Sequence, residues 1–253
     1  MFENNTNNQI QVEWMMQNSQ VDDPILAEAL IREYYTALLQ MMMILVDGIG
    51  QARPYVLRTL QMAVEKRHQY TGEAPLKVWL FLLAYRLSRR SRLTRNKMSF
   101  EARGNLLIFL RYAQHLSVKE VGWVVGTKEK RTYRLLQDSR RRILDTWGPS
   151  PEPPMLPRGH AQNALAIREA LDGMLGVAEV RSLDAHLDEC KACKDYADAL
   201  AAQENRFQQM AAMAWPTQPL SESEFQKIQS DPNTLKNHQA IQRRFSLSIK
   251  ELS

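Results

Sequence analysis

Apolar residues in this chain recur at three- and four-residue spacing rather than in alternation: Ile25, Leu30 and Ile31, then Tyr34, Tyr35, Leu38 and Leu39. That spacing matches the helical turn and argues against a sheet, where a half-buried strand needs every second residue apolar. Glycine is sparse at 10 of 253 residues and valine–isoleucine alternation is weak, so the expected fold class is all-α. Asp22 and Asp23 before Pro24 make a helix start, because an acidic cap followed by proline in the first turn satisfies free amides without losing a bond. Helices are expected over 25–46, near 52–68 and from about 76 to 93, with a break at "YTGEAP".

"GPSPEPPMLPRG", 148–159, cannot lie inside a helix or strand and reads as a semi-rigid linker. With a second break at "WPTQP", 215–219, it divides the chain. The expected parts are a flexible N-terminus (1–24), a helical domain (25–95), a helix-turn-helix domain (100–147), the linker (148–159), a metal-binding helical bundle (160–214) and a tail (215–253). Charge follows the same division. Residues 81–147 hold sixteen Lys and Arg against five Asp and Glu, whereas 151–230 hold seven against twelve. The basic middle fits a polyanion, and the acidic part after it could neutralise that middle in cis. The longest apolar runs, "MMMILV" and "VWLFLLAY", are too short to span a bilayer, and the polar start is unlike a signal peptide. The two cysteines, three residues apart, fit a metal or redox pair in a reducing cytoplasm better than a disulfide framework.

The stretch from Arg111 to Leu144 carries the strongest functional signal. Ser117 with Glu120 three residues on is a capping pair, Gly126 supplies a turn, and a strongly basic second helix follows, which is the helix-turn-helix layout. DNA fits such a surface, which also carries Lys128: Lys130, Arg131 and Tyr133 near the start of the second helix could reach base edges, and the later arginines, Arg134, Arg140 and Arg141, phosphates. A solvated basic helix in an ordinary bundle is the alternative.

In "HLDECKAC" His186 and Cys190 are four apart on one helical face and Cys193 follows one turn on. Tetrahedral zinc needs a fourth ligand, and His160, after the proline linker, is the candidate; the alternative is a short helix that binds nothing. Four protein ligands would close the shell, and no phosphate loop or nucleophile motif occurs, so no enzyme is expected.

Both segments resemble known bacterial families. Arg111, Tyr112, Leu116, Ser117, Glu120, Val121, Val125, Gly126, Arg140 and Ile143 match the fourth-region DNA-binding domain of extracytoplasmic-function sigma factors. Tyr70, Leu76, Trp79, Leu80, Leu83 and Ala84 are similar to that family's second region. Together the two matches cover about 25–147, and they imply binding to core RNA polymerase and to promoter DNA. His160, Leu171, Asp172, Gly173, Leu175, His186, Cys190 and Cys193 resemble the zinc-binding anti-sigma domain. That second resemblance implies a small bundle that occludes sigma surfaces, here fused to its own target.

The departures are specific. Gln51, Ala52, Arg53 and Pro54, then Leu57 and Arg58, stand where the sigma family carries acids that engage polymerase, which inverts the sign of that contact. Arg86 and Arg90 replace an asparagine and an aspartate on the promoter-facing helix; with Arg89 and Arg92 they favour phosphate contact over base recognition. Trp79, on the apolar stripe with Leu80 and Leu83, is expected in the core. Two functions follow: a sigma-like initiation regulator gated in cis by its zinc domain, or an interaction protein of that design that no longer directs polymerase and acts through protein partners.

Overall fold

A computed structural model of the chain describes residues 2–18, 20–46, 48–90, 99–147, 153–216 and 220–230. The protein is all-α: 80% of the described residues are helical and none of them forms a strand. It divides into two compact units, one holding the described residues up to Ala102 together with 220–230, the other Arg103–Pro216.

In the first unit, α1 (Phe2–Gln17), α2 (Asp23–Leu45), α3 (Ile49–Glu65) and α4 (Leu76–Arg90) pack as a bundle. Pro24 lies in the first turn of α2 as expected, and Asp22 is extended at its cap, but the Asp22 side chain makes no capping hydrogen bond. Leu26, Leu30, Tyr34, Leu38 and Met41 form the buried stripe of α2. The second expected helix starts earlier, at Ile49, and carries Pro54 inside it, while its last expected residues form a separate 3₁₀ turn, Arg67–Gln69. The N-terminal segment, expected to be flexible, is helical over Phe2–Gln17; its stripe is only Val12 and Met16, one turn apart and buried, so its polar composition hid it. Trp79 is half-buried against Tyr70, ring centroids 5.5 Å apart. From the expected tail, α11 (Glu222–Ser230) rejoins this unit: Phe225 is 1% exposed, the Arg32 guanidinium lies 3.8 Å over its ring, and Arg32 pairs with Glu222 at 2.7 Å.

The second unit begins within α5 (Phe100–Ile108), which runs into a π-helical turn, Phe109–Ala113. Helices α6 (Val118–Val125) and α7 (Glu129–Trp147) form the helix-turn-helix. Ser117 and Glu120 close a full capping box, and Gly126 takes the left-handed φ of +71° that ends α6. Helices α8 (Ala161–Leu171), α9 (Val177–Glu189) and α10 (Lys191–Ala214) follow. Their core is Ile167, Leu183, Cys193, Tyr196 and Leu200. The linker was expected as a spacer; of its residues, 153–159 are described, and Leu156 packs against this core. Beyond the core α10 runs on over the helix-turn-helix segment, where Phe207 stacks on Tyr112 with centroids 5.2 Å apart and Trp215 meets the edge of Phe109 at 5.6 Å. The helix-turn-helix and the three-helix bundle are therefore parts of one compact unit.

Candidate metal centre and basic helix

His160 caps the N-terminus of α8, His186 lies in the last turn of α9, and Cys190 stands at the junction between α9 and α10, with Cys193 in the first turn of α10. The short connection between α9 and α10 brings the one-face spacing of His186, Cys190 and Cys193 to a point, and α8 packs His160 against it. One ligand atom from each of the four lies within 4.8 Å of the others. The His160 Nδ1 is 3.0 Å from the Cys193 Sγ and 3.7 Å from the Cys190 Sγ. Those separations bracket the edge of a tetrahedron built on metal–nitrogen and metal–sulfur bonds, about 3.5 Å. Two imidazoles and two thiols suit a borderline-soft divalent metal, and the four sequence-predicted ligands are brought together.

Burial, and then the adjacent Cys190, push the Cys193 thiol above its ordinary pKa; a metal would take the thiolate and release the proton. Asn163, one turn after His160 on α8, was missed in the sequence. Its Nδ2 lies 2.9 Å from the His186 Nε2, placing an amide where it can hold that imidazole in orientation. Its spacing from His160 was the only available signal.

The basic residues fall into two groups. Lys128, Lys130, Arg131, Arg134 and Arg141 are exposed, Lys128 just before α7 and the rest along it. Tyr133 and Arg140 are not: they are 8% and 7% exposed, on the inner face with Leu136 and Ile143. Expected to contact DNA, they face the protein interior instead, because residues seven apart share a helical face with those apolar neighbours. Burial raises the Tyr133 pKa.

Arg140 is the centre of a polar network that joins α7 to the three-helix bundle. Its Nη1 and Nη2 each donate to an Asp172 oxygen at 2.6 Å, and Nη2 also pairs with Glu204 at 2.8 Å. Its Nε donates to the Tyr112 hydroxyl at 2.5 Å, which in turn donates to Glu204 at 2.5 Å. Asp172 also accepts from Gln137 at 3.2 Å and pairs with Arg111 at 3.6 Å. Burial opposes the charged guanidinium, but the bonds to Asp172 and the charges of Glu204 and Asp172 outweigh it, and the Arg140 pKa is raised. Glu204 moves upward because its burial outweighs the pull of Arg140.

In the first unit Arg86, Arg89 and Arg90 are exposed at the end of α4, where the last two complement the helix dipole; Arg92 lies outside the described residues. Arg53 is exposed, whereas Arg58 pairs with Glu65 at 3.1 Å. No helix among the described residues is long and apolar enough to cross a membrane. No family model, curated protein or solved structure matches the chain.

Proposed function

We propose that this protein is a DNA-binding regulator of transcription initiation, of sigma-factor-like design, whose basic helix α7 is restrained in cis by a zinc-stabilised bundle. The observation that carries this reading is Arg140, a basic residue of the helix-turn-helix clamped by two carboxylates of the bundle, Asp172 and Glu204. The bidentate grip ties the basic helix to the bundle from its inner face. The exposed Lys130, Arg131, Arg134 and Arg141 on the outer face supply the phosphate and base contacts. Zinc suits the two-histidine, two-cysteine donor set, and its closed shell gives the metal a structural role and no catalytic one.

The test is duplex-DNA mobility of the full chain across a salt series. Arg131→Ala and Arg134→Ala should weaken binding and flatten its salt dependence, each removing about one phosphate's worth of slope, whereas the exposed Arg181→Ala on α9 should do neither. Equal losses from all three, or no DNA binding at low salt, overturn the reading. Metal analysis tests the zinc: Cys190→Ser and Cys193→Ser should abolish it and His115→Ala should not.

A second reading, an interaction protein that does not direct polymerase, is favoured by Arg53 and by the Arg58–Glu65 pair, which stand where the resembling family presents acids. Capture of core RNA polymerase by the full chain decides between the two.

A further inference from the structure

Beside the Arg140 network lies a cavity of about 600 Å³, of whose lining the DNA reading uses only Arg140 and Arg141. Its inner wall is Leu171, Tyr196, Leu200 and Phe207, and the proline segment Pro153–Leu156 forms its rim. The volume falls in the range of small-molecule sites, and an apolar wall with a few converging polar groups is their usual composition.

Three arginines line it, Arg140, Arg141 and Arg168, against one carboxylate, Glu204, which Arg140 already holds. Among the described residues no carboxylate pairs with Arg141 or Arg168. The Arg168 Nε donates to the Tyr196 hydroxyl at 2.9 Å, and both side chains line the cavity. At the rim Met155 is 98% exposed, an adaptable apolar side chain with nothing packed on it.

We propose that this cavity binds a small amphipathic carboxylate. The head group would be gripped by Arg168 and Tyr196, with Arg141 nearby, and the apolar body would lie along Leu200 and Phe207 under Met155. A planar guanidinium fork matches a carboxylate bidentately, so the site discriminates against a neutral head group. A nucleic-acid backbone is disfavoured because its phosphates bring no apolar body to fill the inner wall.

The experiment is calorimetric titration of the full, metal-loaded chain with decanoate and with decanol, both below their aggregation limits. Decanoate should bind saturably at one site, and decanol at least about tenfold more weakly, the discrimination expected of charge-assisted hydrogen bonds. Arg168→Gln should weaken decanoate about tenfold and leave decanol unchanged, Ala164→Phe should fill the cavity and weaken both, and Arg181→Gln should change neither. Far-ultraviolet circular dichroism checks that the variants are folded. Absence of saturable binding, equal affinity for acid and alcohol, or indifference to both Arg168→Gln and Ala164→Phe in folded protein overturns the proposal. No DNA enters this measurement, so its failure and that of the DNA reading are separate results.

Discussion

Asp172 and Glu204 both face the Arg140 guanidinium, but they are not equivalent. Asp172, its side chain 1% exposed, receives both terminal nitrogens of Arg140 and further contacts from Gln137 and Arg111; Glu204, 19% exposed, receives one nitrogen and the Tyr112 hydroxyl. Asp172→Asn leaves Arg140 only the more exposed Glu204 as counter-charge and breaks its bidentate pair, and should destabilise the second unit by about 3 kcal/mol, the low end of the cost of breaking a buried pair from one side. Glu204→Gln should cost about 1 kcal/mol or less, since Asp172 still neutralises Arg140 and the amide keeps a bond to Tyr112. Because the folded-state pKa of Glu204 is raised above 4.5, its favourable contribution is complete below that value and is lost as pH rises through the raised pKa. Chemical denaturation as a function of pH should therefore show a decline above 4.5 in the wild type that Glu204→Gln flattens.

The helix-turn-helix depends on one close approach. A Cβ added to Gly122 would stand 2.7 Å from the Thr127 carbonyl oxygen and 2.9 Å from the Thr132 hydroxyl, and the first of these is backbone that cannot swing away. Gly122→Ala should thus force α6 and α7 apart and cost about 1–3 kcal/mol in thermal unfolding. Ser117→Ala, which removes the capping box, should cost about 1 kcal/mol without separating the helices. At this scale the sequence was informative: the Ser117–Glu120 pair and Gly126 fixed where α6 begins and ends. It was also informative about α7 in a way easily passed over. Tyr133, Leu136, Arg140 and Ile143 follow one helical stripe, and an arginine on an apolar stripe signals a buried partner. Reading all the basic residues of α7 as one surface ignored that stripe.

Across the second unit, a metal held by the four-residue cluster would be linked to the fold. The core of α8–α10 includes five buried side chains, Cys193 among them, so the binding free energy of any metal taken up there would add to that of folding. Stripping the metal with a chelator should lower helical content and the melting temperature of the full chain, and Cys193→Ser should reproduce that loss without chelator. An unchanged melting curve would leave the cluster unimportant to the fold. The sequence by itself determined the helical class, the main helices of both units, the helix-turn-helix limits and the clustering of His186, Cys190 and Cys193, because each rests on contacts within a few residues of chain, where helical period and capping chemistry decide. His160 was within reach only through its place after the proline linker. What the tertiary structure alone decided is that α10 continues past its own core to stack Phe207 on Tyr112, and that Asp172 and Glu204, 32 and 64 residues beyond Arg140, converge on it. An excess of acid downstream of an excess of base foretold attraction between the two segments. Only packing selects which carboxylate meets which guanidinium, since Coulomb attraction is long-ranged and indifferent to identity whereas a buried bidentate pair requires one geometry.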